Sequence, residues 1–420
     1  MSSQDSDSQQ NINTTRVDHQ LLLFDLFYTG HHAGYILHLV RYWREQQLTG
    51  RLDVLVSPTF IKSHSDVVNI TLENSQSKIN FLTITTEEEA ALLPQDSGTG
   101  RIVRSFQEWR LLQKYVKQLS PTQCLLMYFD SILLALAVLG RLPCRLSGIY
   151  FRPIFHYSEF AVFQPSQHEQ LLQLRDKIAL SRLLHYPRFK TLFCLDPLVI
   201  EHLDKFKGHV KPVYLPDPVQ IYRDGEANVE KLRENLAIEQ NRRVFLMFGS
   251  LQKRKGIYQL FDAIARLPSH LCQKVCLLFV GPIDSPTVFH NRIAHLCESL
   301  PIQIITQDQF VPDRDIQPYF QVADVILAPY QRHIGMSAIL VRAAAAGKPV
   351  LSTNYGLMGE IVKRYKLGIV VDASIPEEIA QGLTQFIIHP TETFFDHSSM
   401  QCFAEENLAE KFATTVFQNL

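Results

Sequence analysis

Residues 318–371 read PYFQVADVILAPYQRHIGMSAILVRAAAAGKPVLSTNYGLMGEIVKRYKLGIVV. Within them the apolar run Val325–Ala328 has the length of a buried strand, and an Ala-rich segment at 338–346 predicts a helix that ends at Gly347. Strand, loop and helix then repeat up to residue 371. In such a unit, the loop at the carboxyl end of the strand directs free backbone N–H groups into a crevice, where they suit a diphosphate. We therefore expect an α/β fold with a nucleotide site around Gly335.

The composition is that of a globular protein with balanced charge. The chain has 420 residues, of which 46% are apolar, so it can form two hydrophobic cores of ordinary size. It carries 41 Lys and Arg against 42 Asp and Glu. Because these charges nearly cancel and no long run has one sign, we expect no binding of nucleic acid.

The cysteines and the apolar stretches indicate a cytoplasmic setting. The seven cysteines include no CxxC pair, so we expect reduced thiols and no metal site. The longest apolar stretch, 124–140, contains Asp130 and falls short of the roughly 20 residues that a membrane crossing needs. We expect no membrane span, while peripheral membrane contact stays open. Residues 1–17 are polar and rich in Ser, Gln and Asn, which predicts a disordered tail.

Strand-like and helix-like segments alternate along the first half. The strand-like run 21–28 precedes a glycine turn and apolar residues at helical spacing from Ile36 to Trp43. This alternation predicts a parallel, doubly wound sheet. Prolines at 212–218 break regular structure, so we place the domain boundary there. The predicted units are a domain at 18–212, a second at 213–398 and a final amphipathic segment at 399–420.

Together with VYLPDPVQIY (213–222), FLMFGSLQKRKGIYQLFDAI (245–264) and LLFVGPID (277–284), the stretch 318–371 resembles the retaining group 1 glycosyltransferases of family 4. The resemblance is clear from about residue 214 to 386 and faint before 196. It implies the GT-B fold, in which two Rossmann-like doubly wound domains face each other across a cleft. By this analogy residues 18–212 bind the acceptor, residues 213–398 bind the nucleotide sugar, and a helix at 399–420 returns to the first domain.

The chain departs from this family at two carboxylates. The family has a pair of Glu residues eight positions apart, and here Ile334 and Arg342 occupy those places. The chain therefore lacks the usual contact to the donor sugar and the usual contact to the ribose. A guanidinium has only donors, so Arg342 cannot accept hydrogen bonds from ribose hydroxyls. Arg342 either faces the ligand or extends to the surface.

Donor-side candidates follow from the same resemblance. The loop 249–256 matches the family's phosphate-binding loop, with Gly249 in place, Lys255 at the family's Lys, and Ser250 in place of its Arg. Arg254 is a candidate to restore the lost charge, although a solvated turn would also explain these cations. The remaining donor-side candidates are backbone N–H groups of Gly335 and Met336 with the Ser337 hydroxyl, Phe310 beside the base, and Glu360 at a helix start. Ser337 could equally be an ordinary N-cap, and Phe310 a core residue.

Catalytic candidates lie in the first domain. The turn from Gly30 to Gly34 resembles the family turn that faces the acceptor and the donor phosphates, and glycine permits close approach of backbone to ligand. His31 and His32 in this turn can donate to an oxyanion, unless they are simply solvated. Arg152 lies at a predicted strand end, where its charge can balance the leaving phosphate; an extended residue before Pro is the alternative.

The resemblance implies retaining transfer of a hexose from a nucleotide sugar to an acceptor that is a carbohydrate, a lipid or a small molecule. No cofactor and no metal are implied, because positioning and stabilisation of the departing diphosphate would carry the reaction. Two alternatives stay open. One is a catalytically silent GT-B protein that binds a nucleotide sugar or acts as a partner subunit, which the missing carboxylates favour. The other is a nucleotide-sugar epimerase.

Overall fold

The computed structural model describes residues 20–70, 78–94, 97–160, 162–163, 165–222 and 229–420. The predicted tail at 1–17 lies outside the described residues. Within them the chain forms two parallel sheets, each covered by helices on both faces. The predicted pair of doubly wound α/β domains is confirmed.

The first domain is built on a parallel sheet of seven described strands. These are β1 (Gln20–Phe24), β2 (Arg51–Val56), β3 (Ile79–Thr83), β4 (Gln123–Leu126), β5 (Arg145–Tyr150), β6 (Phe189–Cys194) and β7 (Lys211–Tyr214). Their order across the sheet is β3-β2-β1-β4-β5-β6-β7, so the direction of winding reverses between β1 and β4. Ligands of such sheets bind at the carboxyl ends of the strands flanking this reversal.

The predicted boundary at residue 212 falls inside β7. This strand pairs with β6, so the first sheet continues to Tyr214. Although Pro212 predicts a break in regular structure, it lies in β7, which is the edge strand of the sheet. An edge strand tolerates proline because one side of it needs no hydrogen-bonded partner. The boundary therefore moves to the residues after Tyr214.

Helices cover both faces of this sheet. In the described part of the first domain they are α1 (His32–Glu45), α2 (Pro58–Ser63), α3 (Ser65–Asn69), α4 (Thr86–Ala91), α5 (Gly98–Leu119), α6 (Phe129–Leu139), α7 (Gln167–Leu183) and α8 (Ile200–Asp204). Helix α1 belongs to the core on one face, whereas α5, α6 and α7 belong to the core on the other. Helix α6 packs against both α5 and α7.

The second domain repeats the plan. Its described strands are β8 (Arg243–Phe248), β9 (Val275–Val280), β10 (Gln303–Gln307), β11 (Val325–Ala328), β12 (Val350–Thr353) and β13 (Gly368–Val371), in the order β10-β9-β8-β11-β12-β13. Its described helices are α9 (Val229–Asn235), α10 (Ile257–Ile264), α11 (Ser269–Cys272), α12 (Pro286–Ser299), α13 (Asp313–Val322), α14 (Ala338–Ala345), α15 (Gly356–Arg364), α16 (Pro376–Ile388) and α17 (His397–Glu406). The reversal of winding lies between β8 and β11.

The described part of the chain passes between the domains at two points, near Val219 and near Asn407, and these points lie side by side. Helix α17 packs on α14 of the second domain, and only α18 (Ala409–Gln418) packs on α1 of the first. The prediction that the whole of 399–420 returns to the first domain is therefore wrong for its first half. Apolar residues of α17 complete the second core, whereas those of α18 complete the first.

Hydrogen bonds tie the two crossings together. The Val219 N–H donates to the Asn407 carbonyl at 3.0 Å, and the Ala409 N–H donates to the Val219 carbonyl at 3.2 Å. The fully buried Asn407 side chain accepts from the Asp217 N–H at 2.9 Å and donates to the Phe403 carbonyl at 2.8 Å. Asn407 thus satisfies buried backbone groups of both crossings.

Replacing Asn407 with Ala should lower the free energy of unfolding by about 1–3 kcal/mol, because the buried Asp217 N–H then has no partner. Urea unfolding monitored by circular dichroism measures this difference. Asn291→Ala is the matched control, since Asn291 is exposed on α12 and should tolerate the change. Equal stability of the two variants would show that the crossings do not depend on the Asn407 amide.

Candidate functional site

Two loops of the second domain meet where its winding reverses. One follows β8 and the other follows β11, and the Gln331 N–H donates to the Arg254 carbonyl at 2.7 Å between them. Gly256 has φ 77° and lies so close to Pro329 that a Cβ would overlap the Pro329 carbonyl oxygen. Only glycine allows this approach. The two loops hold the predicted donor-side residues 249–256 and 335–337. They therefore meet in a tight backbone contact between Gly256 and Pro329.

Lys255 is held beneath the first loop. Its side chain is buried, its Nζ donates to the Phe248 carbonyl, and the same atom lies 5.1 Å from the centre of the Tyr330 ring. A Cβ on Gly249 would lie 2.9 Å from that Nζ, so the loop closes over it. The solvated-turn interpretation is wrong for Lys255.

Arg254 and Ser250 are exposed, as expected of loop residues. The Arg254 guanidinium lies 6.0 Å from the Tyr330 ring centre and donates to Gln252 Oε1 at 3.1 Å. Tyr330 thus contacts both cations, which keeps their charges close together on the cleft side of the loop.

The facing wall belongs to the first domain. His32 is buried at the start of α1, and its Nδ1 lies 2.7 Å from Asp25 Oδ2. His31 stacks on His32 and on Phe151, with ring centres 4.5 Å and 4.4 Å apart. Gly30 and Gly34 have open space at their Cβ positions. The predicted turn therefore presents two histidine rings packed against each other.

Crowding keeps His31 neutral. Burial and the charges of His32 and Arg152 together lower the pKa of His31 to about 3, although the residue as a whole keeps exposed surface. A neutral imidazole has one donor and one acceptor nitrogen. His31 can therefore donate to an oxyanion or accept from a hydroxyl without carrying charge.

Arg152 is fixed on this wall by its neighbours. Its Nη2 donates to the Tyr128 hydroxyl at 2.6 Å, and its backbone N–H donates to Asp130 Oδ1 at 2.9 Å. Asp130 also accepts from the Phe151 N–H at 2.8 Å. The guanidinium is thereby pointed at a defined position while its other donors stay available.

The two walls meet at the loop after β11. A Cβ on Gly335 would lie 3.6 Å from Arg152 Cγ, so this loop touches the first domain. The pKa of His333 is lowered by burial and then by the charges of Arg254, Lys255 and Arg152, against a raising contribution from its hydrogen bond to the Met336 carbonyl. The charges of Arg152 from the first domain and of Arg254 and Lys255 from the second therefore all favour the neutral form of His333. We call Arg152, Arg254 and Lys255 the cationic cluster.

His333 was missed by the sequence reasoning. Its only signal was a place in the loop between β11 and α14, where lone histidines are usually solvated. Ser337 and Met336 lie in the same loop, as predicted. Ser337 occupies the N-cap position of α14 but its hydroxyl makes no capping hydrogen bond, so the N-cap interpretation does not account for it.

Three predicted donor-side residues lie apart from the cluster. Glu360 is in the second turn of α15 and accepts from Lys363 Nζ at 3.2 Å, so it does not cap the helix start as expected. Phe310 is 78% exposed and not a core residue, which leaves its ring free to stack on a planar ligand. Arg342 is buried in an ion pair with Asp313 and does not reach the surface.

The Arg342 charge acts on the place where the chain crosses between domains. Burial, the charge of Arg41 and the charge of Arg342 together lower the pKa of His38 to about 4. The Arg342 charge also opposes the effect of burial on Asp217, whose pKa is nevertheless raised to about 6. Arg342 pairs directly with Asp313, and its charge contributes to these two pKa shifts near the crossing.

A cavity of about 570 Å³ opens beside Arg152. Helices α5, α6 and α7 line it, and Ile334 of the second domain closes one end. No sequence feature had indicated it, because its lining comes from three separated segments.

The described residues form neither a metal site nor a membrane-spanning helix. Among the described residues, no group of three or more His, Cys, Asp or Glu side chains is arranged to hold a metal ion. Within the same ranges no helix combines the length and the hydropathy needed to cross a bilayer. All seven cysteines are free.

The chain is similar to known glycosyltransferases. Residues 228–394 match the family model described as glycosyl transferases group 1. The chain is similar to the lipopolysaccharide glucosyltransferase WaaG of Escherichia coli, with 28% identity over 250 residues, covering 57% of this chain and 60% of WaaG. It is also similar to the D-inositol 3-phosphate glycosyltransferase of Corynebacterium urealyticum, with 26% identity over 195 residues, covering 45% of each protein. The chain spans about half the length of the curated relatives that it matches.

Solved structures match over nearly the full length. HepE of Anabaena in complex with UDP superposes with a TM-score of 0.65 at 15% identity, covering 95% of this chain and 98% of HepE. The N-terminal domain of Candida albicans trehalose-6-phosphate phosphatase gives 0.68 at 10% identity, covering 96% of both chains. WaaG gives 0.55 at 16% identity, covering 94% of this chain and 95% of that one. At such identities the likeness establishes the fold, and the predicted GT-B architecture is confirmed.

His31→Gln should reduce the loss of stability on acidification. The pKa of His31 is about 3 in the folded protein against 6.5 for an unperturbed histidine, so between these values only the unfolded state binds the proton. The free energy of unfolding therefore falls as the pH decreases through that window, and glutamine removes this contribution.

Urea unfolding at about pH 7 and about pH 4.5 measures the effect, because the first value lies above the two pKa values of His31 and the second lies between them. His270→Gln is the matched control, because His270 is exposed on α11. An equal decrease in stability for His31→Gln and the wild-type protein would place His31 outside the crowded wall.

Proposed function

We propose that the chain is a metal-independent, retaining glycosyltransferase that moves a hexose from a nucleotide sugar to an acceptor held by the first domain. The match of residues 228–394 to the group 1 model and the glycosyltransferase names of the curated relatives support transfer from a nucleotide sugar. Those relatives favour neither a silent protein nor an epimerase. A cytoplasmic location stays a prediction.

The observation that carries the proposal is the cationic cluster. It brings Arg152 of the first domain to the loop after β11, where a Cβ on Gly335 would lie 3.6 Å from Arg152 Cγ. Tyr330 of the same loop lies 6.0 Å from the Arg254 guanidinium and 5.1 Å from Lys255 Nζ. Like charges brought together are unfavourable unless an anion joins them, and a diphosphate carries enough negative charge to do so. Charge-assisted hydrogen bonds from guanidinium and ammonium groups are strong. The cluster thus compensates the charge that develops on the departing diphosphate.

The reaction that we propose balances without a further reagent. The acceptor hydroxyl oxygen attacks the anomeric carbon from the face that the diphosphate leaves. The bond between that carbon and the diphosphate oxygen breaks, and a phosphate oxygen takes the proton of the hydroxyl. The enzyme contributes position and charge, with His31 donating to the reacting group as a neutral imidazole.

The base and the ribose would lie further along the second domain. The exposed Phe310 ring offers a stacking surface for a base. Asp313 follows three residues later, and Arg342 holds one of its carboxylate oxygens. Because the Asp313 side chain is 49% exposed, its carboxylate can accept hydrogen bonds from ribose hydroxyls in place of the missing family Glu.

Lys255→Met and Arg152→Met should each raise the dissociation constant for UDP at least about tenfold, because each removes a charged partner of the diphosphate. Isothermal calorimetry with UDP measures this, since HepE was solved with that nucleotide. Lys253→Met is the matched control, because Lys253 is an exposed lysine of the same loop.

If UDP bound the wild-type protein and both variants equally, the cationic cluster would not be the diphosphate site. Because Arg152 belongs to the other domain, an effect of Lys255→Met alone would limit the site to the second domain.

Hydrolysis and transfer assays with UDP-, GDP- and ADP-sugars separate an active enzyme from a silent one. The variant Ile334→Glu/Arg342→Glu restores the family carboxylates but places a new anion beside Asp313, so we expect it to lower activity. Transfer by this variant where the wild-type protein shows none would identify a degenerate transferase. Exchange of the sugar configuration without transfer would identify an epimerase.

A further inference from the structure

A second cavity lies at the edge of the second sheet that is opposite the donor loops. It has a volume of about 300 Å³ and opens where β8 and β9 begin. Because β8 spans six residues at about 3.3 Å each, the cavity lies roughly 17 Å from the Phe248 carbonyl beneath the donor loop. We call it the basic cavity, because its charged lining consists of one carboxylate, that of Asp324, and four cations, Arg233, Arg242, Arg243 and Lys274.

Arg242 has a structural role in this lining. Its Nε donates to Glu239 Oε2 at 2.6 Å, so its charge is paired. Its Nη1 donates to three backbone carbonyls at 3.0–3.3 Å, those of Cys272, Val275 and Pro301. Arg242 therefore holds the starts of neighbouring strands together and has little capacity left for a ligand.

The other three cations are held in place without a counter-charge. Arg243 Nη1 donates to the His389 carbonyl at 2.8 Å, and Arg233 Nη2 donates to the Arg242 carbonyl at 3.2 Å. A carbonyl fixes the position of a guanidinium but does not cancel its charge, and further N–H groups of both side chains stay available. Lys274 is exposed at the rim. Within the described part of the chain, none of the three forms an ion pair.

Asp324 offsets only one of these charges. Its Oδ2 accepts from the Val244 N–H at 2.7 Å, and its own N–H donates to the Val244 carbonyl at 2.9 Å. With Arg242 paired to Glu239, three cations face one carboxylate, which leaves an excess of two positive charges. A phosphate monoester carries about −1.5 to −2 near pH 7. The charge of the lining therefore matches that of a phosphate monoester.

We propose that the basic cavity binds the phosphate group of a small phosphate monoester, at a site separate from the donor site. The phosphate oxygens accept from the free N–H groups of Arg243 and Arg233 and from Lys274 Nζ. Guanidinium groups bind phosphate oxygens in pairs, and a lysine adds a point charge. The volume of about 300 Å³ is at the lower end of the range for small-molecule sites, so it suits a phosphate with a compact alcohol.

A purely structural role does not explain the whole lining. Closing the edge of the sheet accounts for Arg242, which satisfies three carbonyls. It does not account for Lys274, whose Nζ donates to no acceptor among the described residues. Like charges held close together are unfavourable unless an anion joins them. A bound phosphate supplies that anion.

Calorimetry with inorganic phosphate tests the site, at constant ionic strength and with UDP present to fill the donor site. The wild-type protein should bind phosphate, and Lys274→Glu should weaken binding at least about tenfold, because an anion replaces a cation. Lys274 is exposed, so the variant should fold. Lys190→Glu is the matched control, since Lys190 is an exposed lysine near the start of β6 in the other sheet. Phosphate affinity should be unchanged in Lys255→Met, which alters only the donor side.

Three outcomes would overturn the proposal. They are no phosphate binding by the wild-type protein, equal affinity in the wild-type protein and Lys274→Glu, or an equal loss in Lys274→Glu and Lys190→Glu. The inference does not rest on the proposed transferase. If UDP failed to bind while phosphate binding was lost only in Lys274→Glu, the proposed transferase would be wrong and the basic cavity would stand.

Ribose 5-phosphate and AMP identify the kind of ester. At least one of them should bind as tightly as inorganic phosphate or more tightly, and the same Lys274→Glu variant should weaken it. Preference for ribose 5-phosphate would indicate a sugar phosphate, and preference for AMP a nucleotide. Binding of inorganic phosphate without binding of either ester would show that the cavity holds only the free ion, against the proposal.

Discussion

The contact between Gly256 and the Pro329 carbonyl is the constraint on which the donor side depends. It brings the loops after β8 and β11 together without any side chain between them. Lys255 must then turn inward, where the Phe248 carbonyl and the Tyr330 ring receive its ammonium group. Tyr330 in turn lies against His333, with ring centres 5.5 Å apart. A single backbone approach therefore determines where positive charge collects in the cleft.

On the facing side of the cleft, the first domain presents a wall of stacked rings. Asp25 anchors His32, His32 stacks on His31, and His31 stacks on Phe151. Arg152 follows Phe151 directly and is held by Tyr128 and Asp130. Its position depends on hydrogen bonds inside its own domain. The contacts that hold the first-domain half of the site therefore lie within that domain.

Sequence patterns predicted the parts that depend on local chemistry. Alternating strand and helix periodicity predicted two doubly wound sheets, and the family resemblance assigned the loops after β8 and β11 to one donor site. The same patterns missed features that depend on contacts between residues distant in sequence. Pro212 signals a break yet stands in an edge strand, and Glu360 resembles a helix cap yet lies one turn too late. His333 gains its significance only from Arg152 in the other domain.

Three exposed apolar residues of α7 show the same limit of sequence reasoning. Leu171, Leu174 and Ile178 have helical spacing, and such spacing normally marks residues that face a core. Only the packed structure shows that α7 uses its other side for that purpose, with Ala179, Leu180 and Leu183 buried. Arg342 gave two alternatives in sequence, ligand contact or surface exposure. The structure shows a third arrangement, a buried pair with Asp313 at the edge of the site.

The packing of α18 on the first domain has a consequence during protein synthesis. Tyr35 and Trp43 of α1 are covered by Phe412 and Phe417 of α18, with ring centres 5.0 Å and 5.6 Å apart. These partners are made only after the whole second domain. At typical translation rates, the N-terminal half waits roughly 10 to 40 s for the second domain to emerge from the ribosome. Throughout that interval the α1 rings lack these partners, so the first core is completed only after α18 has emerged.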